Sequence, residues 1–281
     1  VKTGQYQLDI LHEGTMTVDG GVAFAGLPRS EWQQLVEPDE GNRIQLGLNQ
    51  LLIRGNGLNI LVDTGLGNKI RPRRKQLMGI IQYSSIEERL EAFGLKPQDI
   101  THVVLTHLHY DHSGGLTRLN EKTQEIEPVF TNAVHIIQQQ EWQSACNPDE
   151  ISRSSYYLHD FVPLGHSGKL QLIDGDLELA QGIFLELTGG HTAAHQLVRV
   201  EDEECQVVFA GDICPTPWHL NPESREAFDL FPCETLQVRK SLINKGLREK
   251  MLFVFSHGRE PEFFSICGPV DAPETRVYHG S

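Results

Sequence analysis

Residues 101–116, THVVLTHLHYDHSGGL, decide how the rest of the chain is read. The β-branched run Val103-Val104-Leu105 has the length and composition of a short buried strand. It ends at Thr106, and three histidines and an aspartate follow within six positions: His107, His109, Asp111 and His112. Neighbours at i+1 and i+2 share no helical face, so a regular helix cannot turn all four to one point. An irregular loop at the carboxyl end of a strand can, and Gly114-Gly115 permits the close backbone approach it needs. Imidazole with carboxylate is the donor set of zinc and its first-row neighbours. A lone loop histidine is ordinarily a packing or turn residue. Four ligand-type side chains directly after a buried strand ask for more than that.

The composition of the whole chain is compatible with a metal-binding globular protein and argues against nucleic-acid and membrane partners. Its 281 residues suffice for a large core, and 39% hydrophobic with 22% charged residues is ordinary globular composition. A formal charge of −14 argues against nucleic-acid or anionic-membrane partners, which need a basic face. The one basic cluster, Arg71-Pro72-Arg73-Arg74-Lys75, reads as a short solvated loop. Five scattered cysteines without a Cys-x-x-Cys pair fit reduced thiols and a cytoplasmic location. No apolar run approaches a membrane span, and no signal-peptide pattern stands at the start.

Outward from the central motif, residues 5–10 and 15–18 read as two short strands around a turn at Glu13-Gly14. Residues 19–43 read as a long loop bearing Phe24, Leu27 and Trp32. Residues 45–54 and 58–63 form a hairpin through Gly55-Asn56-Gly57. Residues 84–93 form an amphipathic helix capped by Ser84 or Ser85, and residues 134–137 a strand running into a helix through Trp142. Residues 147–169 look like an excursion rather than core. Strands follow at 170–173, 177–180, 183–187, 196–200 and 206–210, then a helix at 234–246 and a last buried strand at 251–255. Hairpins, helices and short buried strands recur in both halves with no linker between them, so the expectation is one α/β (α+β) domain over 1–281 with helices outside.

Three further strand ends carry ligand chemistry. Leu187 leads into Gly190-His191, with His195 four residues on; Ala210 leads into Gly211-Asp212; Phe255 leads into Ser256-His257-Gly258. Asp63, at the end of the strand 58–63, is either a turn cap or a carboxylate that accepts the free N–H of a metal-bound histidine. His-x-His-x-Asp-His followed in order by Gly-Gly-His, Gly-Asp and Ser-His-Gly resembles the metallo-β-lactamase superfamily over roughly residues 44–258. The resemblance implies an αββα sandwich of two mixed sheets with a two-metal site at one edge. It implies that His107, His109 and His191 bind one divalent ion and that Asp111, His112 and His257 bind the other. Asp212 would bridge them, Asp63 would support a ligand, and His195 would be structural. Zinc is the expected metal, with iron, manganese or cobalt as alternatives. The expected reaction is hydrolysis by a bridging hydroxide, with Asp111 and Asp212 as the catalytic carboxylates.

Within the superfamily, the chain is most similar to the quorum-quenching N-acyl-homoserine lactone lactonases and related organophosphate hydrolases. The likeness rests on Asp19-Gly20-Gly21, on residues 58–65 and on residues 107–115. Glyoxalase II-type thioesterases differ by carrying Gly-His-Thr-Pro-Gly-His where this chain has Gly-His-Thr-Ala-Ala-His at 190–195. Lactonases of this type often place Tyr three residues after the bridging aspartate; Pro215 stands there, which leaves open whether His219 supplies the contact. The implied substrate is a small lactone or ester, with a phosphotriester or thioester as alternatives. A non-catalytic metal scaffold is the alternative of another class, and a homodimer is a further implication. Phe24, Trp218, His219 and Phe228 are the candidate pocket residues, while Tyr110 is expected to point away from the metals.

Overall fold

The computed structural model describes residues 1–81, 83–221 and 223–279. Among them are two seven-stranded mixed sheets, face to face, with helices on the outer surfaces. The first sheet runs in order Lys2–Thr3, Tyr6–Asp19, Arg43–Gly55, Leu58–Val62, His102–Val104, Val134–Gln138 and Leu170–Ile173. The second runs Leu177–Ala180, Ile183–Leu187, Gln196–Glu201, Gln206–Phe209, Leu252–Val254, Phe264–Cys267 and Glu274–Val277. Pairing is parallel between Leu58–Val62 and His102–Val104 and between Gln206–Phe209 and Leu252–Val254, where helical segments make the crossover. This is the αββα architecture expected.

Alternation along the strands explains the layers. Leu51, Ile53, Ile60, Val62, Val104 and Ile136 of the first sheet meet Leu185, Val198, Val200, Val207, Phe209 and Val254 of the second in a central core. The opposite faces of the same strands present Leu52, Leu61, Val103 and Ile137 to the helix Ile86–Glu91 and the segments around it. On the second sheet Val208, Phe253 and Ile266 pack under the long helix Pro232–Glu249 through Leu242 and Ile243. The strands of the central core therefore end in fixed positions at one edge, and their loops inherit that precision.

Several expectations from the sequence need correction. Residues 5–18 are one long strand, Tyr6–Asp19, not two around a turn. The Glu13-Gly14 pair forms a bulge between His12 and Thr15, which turns Glu13 into the interior without ending the ladder. Buried there, Glu13 accepts the N–H groups of Leu66 (2.8 Å) and Gly67 (3.3 Å) and pairs with Arg89 at 3.5 Å. Residues 147–169 are partly core: Tyr156, Phe161 and Leu164 are buried with Phe130 and Ala145. Residues 72–77 form a short helix rather than a loop, and the strands Phe264–Cys267 and Glu274–Val277 were not anticipated. The helix at 86–91 uses Ser85, whose hydroxyl and Glu88 form a reciprocal capping box.

One buried base gives the fold a predictable acid sensitivity. His135 is fully buried in the first sheet, and among the described residues neither ring nitrogen has a hydrogen-bond partner. Burial lowers its pKa to about 4. Below about pH 6.5 the unfolded chain therefore binds a proton that the folded chain refuses, and stability falls with pH until about pH 4. At 1.36 kcal/mol per unit the window is worth about 3 kcal/mol. His135→Leu should reduce the loss by that amount when denaturant unfolding is compared at about pH 7 and about pH 4. Parallel curves for variant and parent would sink this account.

Candidate metal centre

The carboxyl ends of the central strands meet at one edge, and hydrogen bonds tie the two sheets together there. Gln196 donates from its backbone to Thr106 O (2.9 Å) and from its side chain to Leu105 O (2.7 Å). Asn49 donates its amide to Phe255 O (2.9 Å) and Gly258 O (2.8 Å), holding the loop that carries His257. Beyond Val104 the chain passes through His107 and His109 into one helical turn, Tyr110–Ser113, so the expected loop contains a short helix bearing Asp111 and His112. Gly114 follows, and a Cβ there would lie 2.2 Å from Leu66 O. Only glycine lets the motif loop sit so close to the 64–67 loop.

The structure brings the side chains of His107, His109, Asp111, His112, His191, Asp212 and His257 together. The potential donor atoms of His107, His109 and His191 lie within 4.8 Å of one another, as do those of Asp111, His112 and His257, and those of His107, His112 and Asp212. Asp212 is central: its Oδ2 is 3.3 Å from His112 Nε2, 3.4 Å from His191 Nε2 and 3.8 Å from His107 Nε2. Its Oδ1 is 3.5 Å from His257 Nε2.

The tautomers follow from the outward contacts. His112 donates from Nδ1 to Asp63 (2.8 Å), His191 from Nδ1 to Asp229 (3.0 Å) and His257 from Nδ1 to Gly47 O (2.9 Å). His107 Nδ1 lies 3.0 Å from the Thr106 hydroxyl, which itself donates to Asp63. With those protons facing out, the Nε2 lone pairs face in. In the neutral rings His112 Nε2 and His257 Nε2 are then two acceptors 3.2 Å apart, and His107 Nε2 is buried with no hydrogen-bond partner among the described residues. Acceptors facing acceptors repel, and a cation resolves the conflict. The donor set therefore fits divalent metal ions.

Electrostatics divides the cluster. Burial holds His107 and His109 well below the usual imidazole range, and the neighbouring imidazoles add to the effect. Burial also opposes a charge on His112 and on His191, but adjacent carboxylates prevail. Asp212 and Asp63 raise the former well above its ordinary value; Asp229 and Asp212 raise the latter to about 9. Asp212 itself is held well below the carboxylate range by His112 and His257, against its own burial. The carboxylates thus demand positive charge at the centre, which either protons on His112 and His191 or metal ions on the Nε2 lone pairs of the neutral rings supply.

Supporting residues surround the cluster. Asp63 accepts from Thr106 N (2.8 Å), from the Thr106 hydroxyl and from His112 Nδ1. Its backbone is left-handed, with φ of 61°, a conformation asparagine tolerates equally. Asp63→Asn should therefore keep the turn yet weaken the hold on His112, with metal affinity falling about 10- to 100-fold in chelator competition. Unchanged affinity would mean that the contact is only a turn cap. His195 touches the cluster indirectly: its Nδ1 donates to Thr188 Oγ1 (2.7 Å) and its Nε2 accepts the Asp212 N–H (3.1 Å). Gly211 makes this possible, since a Cβ there would sit 2.5 Å from His195 Nε2.

A cleft lined by Met16, Leu46, Met78, Tyr110, Glu226 and Phe228 opens onto His109, Asp111, His191, Asp212 and His257. Of the four pocket residues marked in the sequence, the structure brings Phe228 to this cleft and not the others. Phe24 is fully buried and stacked between Trp32 and His219, at 5.7 and 5.3 Å between ring centroids. His219 is buried with Nε2 donating to Ala23 O (2.9 Å) and Nδ1 accepting from Thr216 (2.8 Å), so neither nitrogen is left for a substrate. Trp218 packs on the same aromatic cluster and borders a different groove. Tyr110 lies on the cleft wall, stacked on Tyr157 at 5.1 Å. Sequence reading does not reach Glu226 and Asp229; Asp229 orients His191, and Glu226 Oε2 is buried 3.7 Å from His191 Nδ1 with no hydrogen-bond partner among the described residues.

The family model described as the metallo-beta-lactamase superfamily matches residues 45–257. An N-acyl homoserine lactonase of Bacillus cereus is 28% identical over 247 residues, covering 84% of this chain and 90% of that protein. The N-acyl homoserine lactonase AttM of Azorhizobium caulinodans is 32% identical over 193 residues, covering 65% of this chain and 68% of that protein. A solved structure of a probable metal-dependent hydrolase from Staphylococcus aureus superposes with a TM-score of 0.88 at 29% identity, covering 98% of this chain and 99% of that one.

Proposed function

Because the chain belongs to the metallo-β-lactamase superfamily and is a metal-dependent hydrolase, we propose that it opens a lactone ester of the N-acyl-homoserine lactone type. The reading includes two divalent ions, zinc by preference. His107, His109 and His191 would hold one, Asp111, His112 and His257 the other, and Asp212 both. The observation that carries it is the shell of inward-facing imidazole lone pairs around Asp212 at the floor of a cleft with apolar walls. Lactonase relatives aligned over most of the chain add the substrate class. Divalent ions at such a site supply Lewis acidity and bring the pKa of a bound water to about 7.

The chain's own groups then have defined tasks. Asp212, anchored through its backbone by His195 and through Oδ1 by the Ser256 hydroxyl (3.0 Å), orients the attacking water. Asp111 Oδ2, 3.8 Å from His257 Nε2 and on the cleft wall, is placed to accept a proton from it. Met16, Leu46, Met78 and Phe228 offer the surface an acyl chain needs and exclude competing water. At Pro215 the backbone does the positioning, its carbonyl accepting the His257 N–H at 2.8 Å. The substrate carbonyl must accordingly be held by groups other than a side chain at 215.

The test is a pH-indicator assay on metal-loaded protein with short- and long-chain acyl-homoserine lactones, a simple γ-lactone, a phosphotriester and a glutathione thioester. A lactone should lead in kcat/KM by orders of magnitude. A leading phosphotriester or thioester would keep the hydrolase and discard the lactonase. Protein inert to all of them would discard both.

A further inference from the structure

The basic segment that the motif reading left aside lies at the mouth of this cleft. Arg71, Arg73 and Arg74 line a groove with Thr17, Val18 and Met78, and those same three residues also line the catalytic cleft. The helix Pro72–Leu77 that carries Arg73 and Arg74 has no buried residue. Arg74 is fixed to the cleft wall, its guanidinium 5.6 Å from the Tyr110 ring and 5.1 Å from the Tyr157 ring. Among the described residues, none of these three arginines has a carboxylate within ion-pair distance. Asp19 lines the same groove, one carboxylate against three guanidinium groups, and is held by neutral donors rather than by an arginine, whereas Asp160 is ion-paired elsewhere. Asp19 accepts from Gly21 N (2.8 Å) and Asn42 (3.0 Å), and Asp160 pairs with Lys69 at 3.1 Å. In a chain of formal charge −14, unneutralised guanidinium groups at the entrance to the reaction site form a local field of the opposite sign.

We propose that Arg71, Arg73 and Arg74 form an anion-recognising rim, so that the preferred ester carries an anionic oxygen group at the end remote from the bond that breaks. The inference rests on the hydrolase reading and narrows its substrate class. Planar guanidinium groups match carboxylate and phosphate geometry, and exposed groups of this kind select by charge and by rate of encounter. The tyrosine-stacked Arg74 sets the direction of the groove, while Arg71 and Arg73 stay free to follow the ligand.

The experiment pairs N-acyl-homoserine lactones of equal chain length whose acyl chains end in methyl, carboxylate or phosphate. Wild-type protein and Arg71→Gln/Arg73→Gln are compared at low and high salt. In the wild type at low salt the anionic lactones should show a KM about tenfold below that of the methyl-ended one. The advantage should vanish in the double variant, and near 1 M salt, where the Debye length is about 3 Å. The methyl-ended lactone should be unaffected. A KM gain for one anion alone identifies which group the rim accepts. Equal KM values for all three in the wild type, or a variant that weakens all three alike, would overturn the proposal. Calorimetric binding of the ring-opened compounds gives a readout without turnover. If no lactone is hydrolysed but the anionic products still bind about tenfold better, the rim stands and the lactonase reading falls.

Discussion

Asp212→Asn should lower kcat/KM by at least about a thousandfold while leaving the protein folded. The reason lies in where its carboxylate sits. Oδ2 is within 3.8 Å of the Nε2 atoms of His107, His112 and His191, and Oδ1 is 3.5 Å from that of His257. The amide keeps the volume and can keep the backbone bond to His195, so packing is preserved. It removes the charge and turns N–H groups towards the cluster in place of a carboxylate oxygen. Several kcal/mol of charge stabilisation are at stake, and each 1.36 kcal/mol is a factor of about ten. The measurements are kcat/KM, bound metal by elemental analysis, and thermal unfolding. Activity within about tenfold of wild type would remove Asp212 from the chemistry.

Arg239→Met should be the most destabilising single change, costing about 3–5 kcal/mol. Arg239 is fully buried in the Pro232–Glu249 helix. Its guanidinium donates from Nε to Ile213 O at 2.5 Å and from Nη1 to Ser224 O. It therefore joins the residue after Asp212 to the loop that leads into Glu226 and Asp229. Its charge also helps hold Asp229 below its ordinary pKa, alongside His191. Methionine fills similar space but leaves two carbonyl oxygens unsatisfied and a buried acidic cluster without its cation. At roughly 2–4 °C per kcal/mol, the melting temperature should fall by about 10 °C. A fall under about 2 °C would mean that water or relaxation replaces the arginine.

The parts of this molecule visible in its sequence were those that carry their own local code. Strand ends followed by glycine and a ligand-type residue need no long-range information, which is why His107, Asp212 and His257 could be marked. The sandwich followed from short apolar runs that alternate or stay apolar throughout. Phe24 and His219 were misread because an aromatic ring in a loop without periodicity looks the same whether it faces a pocket or a core. Asp229 escaped because its contact with His191 spans 38 positions and obeys no spacing rule. Glu13-Gly14 suits a turn or a bulge equally in sequence, and only pairing of both flanks with Arg43–Gly55 distinguishes them.

The seam between the sheets also bears on how the protein acquires its metal. His112 and His257 face each other across 145 positions, and His109 and His191 across 82. A growing chain displays the 107–112 motif well before the later donors exist, since synthesis proceeds at about 5–20 residues per second. On a flexible chain that motif is a loose chelator with no preference of its own. The outward hydrogen bonds to Asp63, Asp229 and Gly47, which aim the lone pairs, form only once distant strands have docked. A donor set drawn from both sheets is complete only when the sheets have docked, so affinity for a metal ion and stability of the seam are coupled.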